Sequence, residues 1–222
     1  MRVYVIESRK NERTILMKKI ISIILAMACI MCVFASCGDE AEKEPQILTS
    51  GDYSYVVLED GTVKITKYNS TQDILEMDIP AEIDGKTVTV IGKESFVGAT
   101  GLTIVNFPEG LLTIEERAFA DSSVKKVFLN DSRQLKEIPT DAFRNCLNLV
   151  QVDFPSSLET VKDEAFCYCL NLLAVTFRGN TAGIEPLAFD ACDKMTIYTK
   201  EGMDKVVKFA NEHNIEYKIV NI

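Results

Sequence analysis

Tryptophan is absent from this 222-residue chain, and histidine occurs once, at His213. A histidine-centred mechanism would rest on that one residue, and a metal cluster built on several histidines of one chain is excluded. Positive charge is scarce: 24 Lys and Arg stand against 33 Asp and Glu, a formal net charge of −9. Six of the basic residues but only two of the acidic ones precede Cys37, which leaves 18 against 31 from there on. Phosphate backbones and anionic bilayers are bound by Lys/Arg clusters, so nucleic acid is not an expected partner. No glycine-rich phosphate loop, metal-ligand cluster or nucleophile elbow occurs, so neither an enzyme nor a cofactor is expected. An apolar share of 47% with 26% charged residues is ordinary globular composition, not that of a disordered chain.

What is present begins with an address. Met17-Lys18-Lys19 is followed by an uncharged apolar run from Ile20 to Ala35 and then by Ser36-Cys37-Gly38. A short positive start, an apolar stretch of this length and small residues at its end make residues 1–36 an export signal. Within it, the charged segment from Met1 to Leu16 fits no leader and points to a start set too early. Phe34-Ala35-Ser36-Cys37 resembles a bacterial lipoprotein box, in which cleavage leaves a lipid-modified cysteine. It departs from that box at Phe34, where leucine is usual. The resemblance implies lipidation of Cys37; cleavage without lipid and an uncleaved anchor helix are the alternatives. Residues 37–50, the lipidated cysteine and a polar tether, then hold the folded part outside the cytoplasm, with the membrane or cell envelope reached only through lipid.

A period of 23 residues organises the rest. Phe96, Phe119, Phe143, Phe166 and Phe189 are separated by 23, 24, 23 and 23 residues. Ala118, Ala142, Ala165 and Ala188 precede the last four, and Ser95 the first. Five residues before each Phe stands a β-branched residue: Ile91, Ile114, Ile138, Val161, Ile184. Apolar triplets recur downstream, as in Leu102, Val105, Phe107 and in Leu149, Val152, Phe154; Met195, Ile197 and Tyr198 form a degenerate last copy. Ile79-Pro80 is an earlier echo of the Phe107-Pro108 and Phe154-Pro155 steps.

One such unit cannot close a core, so units must stack and bury one another's Phe and Ile columns in a solenoid. The V-x-F segments alternate as strands do. The charged Ile-to-Phe segments suit a short helical turn or tight bend on the other face. Residues 51–90 read as an N-terminal capping hairpin, with Asp60-Gly61 as its turn. Residues 91–199 carry the repeats, and residues 200–222 a C-terminal helix-strand cap. In that cap Met203, Val206, Val207 and Ala210 share one stripe, Asn214 is the stop, and Ile215, Tyr217 and Ile219 alternate.

L-x-x-V-x-F-P followed by I-x-x-x-A-F-x-x-C, from about Ile79 to Tyr198, resembles the bacterial leucine-rich repeats of the BspA-like surface-protein family. The resemblance implies an α/β solenoid with a parallel concave sheet, and surface adhesion or interaction as its task. This chain departs from the family in having few repeats, a third coil one residue longer around Asn130-Asp131-Ser132, and a last coil with Gly179-Asn180-Thr181-Ala182-Gly183 in place of proline.

Cys146, Cys169 and Cys192 each fall three residues after a repeat Phe, where Ala99 and Ser122 stand in earlier coils. A column shared with Ala and Ser is a small-residue packing position, suited to buried free thiols. Cys167, outside the column, is expected to be more exposed; disulfides remain conceivable in an exported chain, whereas a zinc site lacks a fourth ligand. Asp163-Glu164 and Glu115-Glu116 share one repeat slot and read as a solvated face, and His213 as a helix cap or an exposed residue. Strand alternation points Ile104, Asn106, Lys126, Phe128, Asn130, Gln151, Asp153, Ala174, Thr176 and Arg178 outward. Phe128 beside Lys126 is the type of anchor interfaces use. The expected function is non-catalytic binding of an extracellular protein or glycan by a monomer, with an envelope spacer or assembly subunit as the alternative.

Overall fold

The computed structural model describes residues 45–181 and 183–222. The export signal, Cys37 and most of the tether lie outside the described residues. Three strands open the fold as an antiparallel meander: β1 (Leu48–Ser50), β2 (Tyr53–Val57) and β3 (Val63–Tyr68). The β2–β3 turn is closed by the Leu58 N–H on the Thr62 carbonyl at 2.8 Å, with Gly61 at φ +82°. Asp60 Oδ1 accepts from the Thr62 N–H and hydroxyl at 2.9 and 2.7 Å, the local satisfaction that makes Asp-Gly a turn.

From there the chain winds as coils that lay down one long sheet and, on another face, two shorter ones. The long sheet has seven parallel strands: β4 (Ile74–Asp78), β7 (Leu102–Asn106), β9 (Lys126–Phe128), β11 (Gln151–Asp153), β13 (Ala174–Thr176), β15 (Thr196–Thr199) and β16 (Glu216–Ile219). Its inward column is Met77, Val105, Val127, Val152, Val175 and Ile197 in register, with exposed Tyr217 aligned beyond them on the edge strand β16. The strand β4 is thus a full member of the repeat sheet, and the Ile79-Pro80 echo marks the end of its coil.

The β-branched column lies in short strands of the two smaller sheets rather than in helical turns. Next to the hairpin of β5 (Glu82–Ile83) and β6 (Lys86–Ile91), Ile65, Ile91 and Ile114 align across β3, β6 and β8 (Thr113–Ile114). Ile138, Val161 and Ile184 align across β10 (Glu137–Ile138), β12 (Thr160–Val161) and β14 (Gly183–Ile184). Of the two forms expected there, a short helical turn or a tight bend, the chain takes the bend. Glu94, Arg117, Asp141 and Glu164, each two residues before a Phe, have φ of 56–59°, and Asp121, Asn145, Tyr168 and Ala191, two after, 58–62°. A six-residue Ile-to-Phe segment is too short to offset helix nucleation. The bend instead satisfies its amides between coils: the N–H groups of Phe96, Phe119, Phe143 and Phe166 each donate at 2.8 Å to the Ala carbonyl of the next coil. These alanines are fully buried, leaving no room for a larger side chain.

Inside, the repeat phenylalanines form one stack. Ring centroids are 4.5 Å apart for Phe96–Phe119, 5.2 Å for Phe119–Phe143, 5.1 Å for Phe143–Phe166 and 5.2 Å for Phe166–Phe189, with planes within 13° of parallel. Tyr68 continues the stack at 5.2 Å on one side, and Phe209 ends it at 6.3 Å on the other. Phe209 lies on α1 (Asp204–Glu212), which buries Val206, Phe209 and Ala210; Val207, expected on the buried stripe, is half-exposed. Asn214 stops the helix at φ +55°. His213 is exposed and packs its ring 4.3 Å from that of Phe209.

The last coil is phased differently from its sequence reading. Tyr198 aligns with Thr176 and points outward, whereas the Phe177 column continues as buried Thr199.

Candidate functional site

Two outward columns run along the long sheet beside the buried one. The first carries Asp78, Asn106, Phe128, Asp153, Thr176, Tyr198 and Lys218 in register; the second carries Glu76, Ile104, Lys126, Gln151, Ala174, Thr196 and Glu216. Parallel pairing thus brings residues some twenty-three positions apart in sequence into neighbouring rungs about 4.8 Å apart.

The face is not uniformly open. Ile104, Asn106, Lys126, Phe128, Asn130, Gln151, Ala174 and Arg178 are half-buried. Asp153 and Thr176, expected to be outward and accessible, are only 8% exposed. Arg178 accounts for Asp153: its Nη2 lies 3.1 Å from Asp153 Oδ2, while Gln151 Nε2 donates to Oδ1 at 3.2 Å. Short Asp153 and Thr176 side chains are sunk between the aromatic rungs of Phe128 and Tyr198, and they cannot serve as first points of contact. Tyr198 was missed because its triplet reads as inward; Lys218 Nζ lies 5.9 Å from its ring centroid.

Toward β4 the face becomes acidic. The Asn106 amide donates to Glu76 Oε1 at 3.0 Å and to Asp78 Oδ1 at 2.7 Å. An open depression of about 560 Å³ at the ends of β4, β7 and β9 is lined by Asp78, Asn106, Phe128, Asn130 and Asp131, with Pro80 and Pro108 behind them. Asp78 could have been found from Met77-Asp78-Ile79-Pro80, which repeats the pattern of Val105-Asn106-Phe107-Pro108.

The cysteine column is structural in its contacts. The thiols of Cys146, Cys169 and Cys192 donate to the carbonyls of Phe119, Phe143 and Phe166 at 3.1, 3.2 and 3.2 Å, tying each coil to the one before. All three and Cys167 are free thiols. Contrary to expectation Cys167 is buried, at 3% exposure, and that burial with Asp190 close by pushes its thiol up to about 11. Neighbouring thiols Cys146 and Cys192, together with burial, also push Cys169 up. Raised thiols are poor nucleophiles at neutral pH.

The carboxylate pairs are engaged between coils. Glu115 accepts from Lys64 Nζ at 3.0 Å and from the Lys93 N–H at 2.7 Å, Asp163 accepts from the Leu187 N–H at 3.0 Å, and Glu164 is paired with Arg144. No cluster of three or more metal-ligating side chains exists among the described residues, nor is any of their helices long and apolar enough to cross a membrane.

Against known proteins, residues 64–196 match the model of the BspA type leucine rich repeat region in six copies. A comparison with curated proteins returned no match. The solved pneumococcal vaccine antigen PcpA is similar over 72% of this chain and 51% of its own, with 20% identity and a TM-score of 0.52; that likeness is one of fold. A leucine rich cell surface protein of Faecalibacterium prausnitzii is 24% identical over 72% of this chain, with a TM-score of 0.49. The chain spans little more than half of that protein, 56% of its length. The leucine rich repeat protein TpLRR of T. pallidum is 17% identical, with a TM-score of 0.44, over 80% of this chain and all of its own. With its long parallel sheet, stacked phenylalanines and six matched repeats, the chain belongs to the BspA-type leucine-rich repeat family.

Proposed function

We propose that the chain is a non-catalytic binding module facing outside the cytoplasm, anchored through lipid on Cys37, which engages a protein or glycan with the outward face of its long sheet. The observation that carries this reading is the outward column of the sheet, where the half-buried aromatic rungs Phe128 and Tyr198 flank the more deeply sunken polar residues Asp153 and Thr176. Partly exposed aromatic anchors amid polar neighbours have the make-up of binding surfaces rather than of a solvated sheet face. Family membership supports it as well, as do solved relatives that include a cell surface protein. Among the described residues no reactive constellation competes, because the thiols of Cys146, Cys169 and Cys192 and the carboxylates of Glu115 and Asp163 are committed to bonds between coils.

The test is the full chain carrying Lys126→Ala and Phe128→Ala together, assayed by pull-down from native surroundings and by adherence of cells bearing it. Loss of the captured partner with an unchanged melting profile supports the reading. Retention of every interaction by a folded double variant would eliminate it and favour an envelope spacer. The anchor is tested separately: palmitate labelling that disappears in Cys37→Ala supports lipidation, and labelling that persists there overturns it.

A further inference from the structure

Resting on the sheet-face reading, we infer that the depression at the ends of β4, β7 and β9 is a subsite for an uncharged glycan. The repeat itself shows where the site was built. At the first outward position the neighbouring coils carry Asp78, Asn106, Asp153 and Thr176 and the third carries Phe128; an aromatic returns in that column only at Tyr198, three rungs away. Three coils then end on proline, at Pro80, Pro108 and Pro155, whereas the third ends on Asn130 and holds the one extra residue of the array. Both departures line the same depression. Buried Ser132, donating to the Pro108 carbonyl at 3.0 Å, secures the enlarged loop against the coil before it.

The lining chemistry selects the ligand. Asp78 and Asp131 supply charge of one sign, and no Lys, Arg or His lines the depression, so sulfated, sialylated or phosphorylated ligands are disfavoured. Asn106 is held by Asp78 at 2.7 Å and Asn130 by Asp131 at 3.1 Å, which fixes amides and carboxylates as oriented donors and acceptors. Sugar hydroxyls both donate and accept, and so match such a mixed set. The half-buried Phe128 ring offers an apolar surface for the C–H face of a pyranose. An extended peptide is less well served: β7 and β9 are hydrogen-bonded along both edges, and the backbone open to strand addition there is the outer edge of β4, at the rim of the depression and away from Phe128 and Asn130.

The experiment presents the full chain to immobilised neutral hexasaccharides of glucose, mannose and galactose and to a sulfated hexasaccharide. We expect retention by at least one neutral sugar and weaker retention by the sulfated one. Phe128→Ala should lower that affinity about tenfold or more and Asn130→Ala severalfold, while Phe128→Tyr and the distant Leu112→Ala keep it. Asn130→Ala and Phe128→Tyr keep the test decisive if Phe128→Ala fails to fold. Binding of no neutral sugar, or binding that survives both Phe128→Ala and Asn130→Ala, overturns the subsite. If no sugar binds but the Lys126/Phe128 double variant still loses its captured partner, the glycan assignment falls and the sheet-face reading stands.

Discussion

Phe143 and Phe166 show what a single residue contributes to this fold. Each is fully buried and sandwiched between rings above and below, at 5.2 and 5.1 Å for Phe143 and at 5.1 and 5.2 Å for Phe166. Neighbouring coils are held by their own hydrogen bonds and cannot collapse into the space a truncation leaves. Phe143→Ala or Phe166→Ala should therefore cost about 3–5 kcal/mol in a denaturant melt, and a loss below about 1 kcal/mol would contradict the stack. The thiols make a second prediction at this scale. With Cys146, Cys167, Cys169 and Cys192 buried, iodoacetamide at pH 8 should leave these four unmodified in the native chain and label them in denaturant. Labelling of Cys167 at the rate of a free peptide thiol would contradict its burial.

Among the elements, the strands were legible, whereas the sequence left the choice between a helical turn and a tight bend open. Period-two alternation at Val105 and Phe107 or Val152 and Phe154 leaves one arrangement that buries both, so the long sheet follows from the pattern. The Ile-to-Phe segments contain good helix formers such as Glu115, Glu116 and Arg117, and local preference there suggests a helical turn. What overrides it is non-local: the amides of Phe119 and Phe143 find their acceptors in the next coil, and Arg117 and Asp141 take positive φ to aim them there. Tyr198 was misphased because its apolar ring groups it with Met195 and Ile197; strict alternation with Ile197 inward sends it outward, and pairing with β13 does the same. The candidate face was readable in position but not in depth. Alternation indicates that Asp153 points outward, while its cover by Arg178, twenty-five residues on, depends on the stacking of coils.

The N-terminal elements are pinned by a carboxylate whose effect depends on pH. Asp84 accepts from the Tyr55 hydroxyl at 2.6 Å and from Ser50 Oγ at 2.9 Å, and these bonds hold its carboxyl below the usual range. A depressed carboxyl stabilises the fold above its unfolded pKa of about 3.9, and the contribution is lost as pH falls through the lower folded value. Asp84→Asn should accordingly melt below the wild type at pH 7, with the gap closing as the pH is taken below about 4. A gap that stays constant across that range would show that Asp84 contributes no ionic stabilisation.

As a whole molecule, the chain is a stack whose ends are closed by different devices: the β1–β3 meander with Tyr68 at one end, α1 with Phe209 at the other. Repeat arrays are held by nearest-neighbour interfaces, so the caps protect the terminal rings from water. Phe209→Asp, which places a charge over Phe189, should lower the melting temperature and broaden the transition as the last coil frays before the centre. A transition that keeps its midpoint and width would show that the helix does not cap the stack.

Function is a property of the same scale, because the outward columns exist only once the coils are in register. The most direct measurement is photo-crosslinking from the face itself. With p-benzoylphenylalanine in place of Phe128, illumination in native surroundings should attach a partner, whereas the same group in place of the exposed Leu112, beside β8, should attach none. Equal adducts from both positions, or adducts from Leu112 alone, would contradict a binding function for the long sheet.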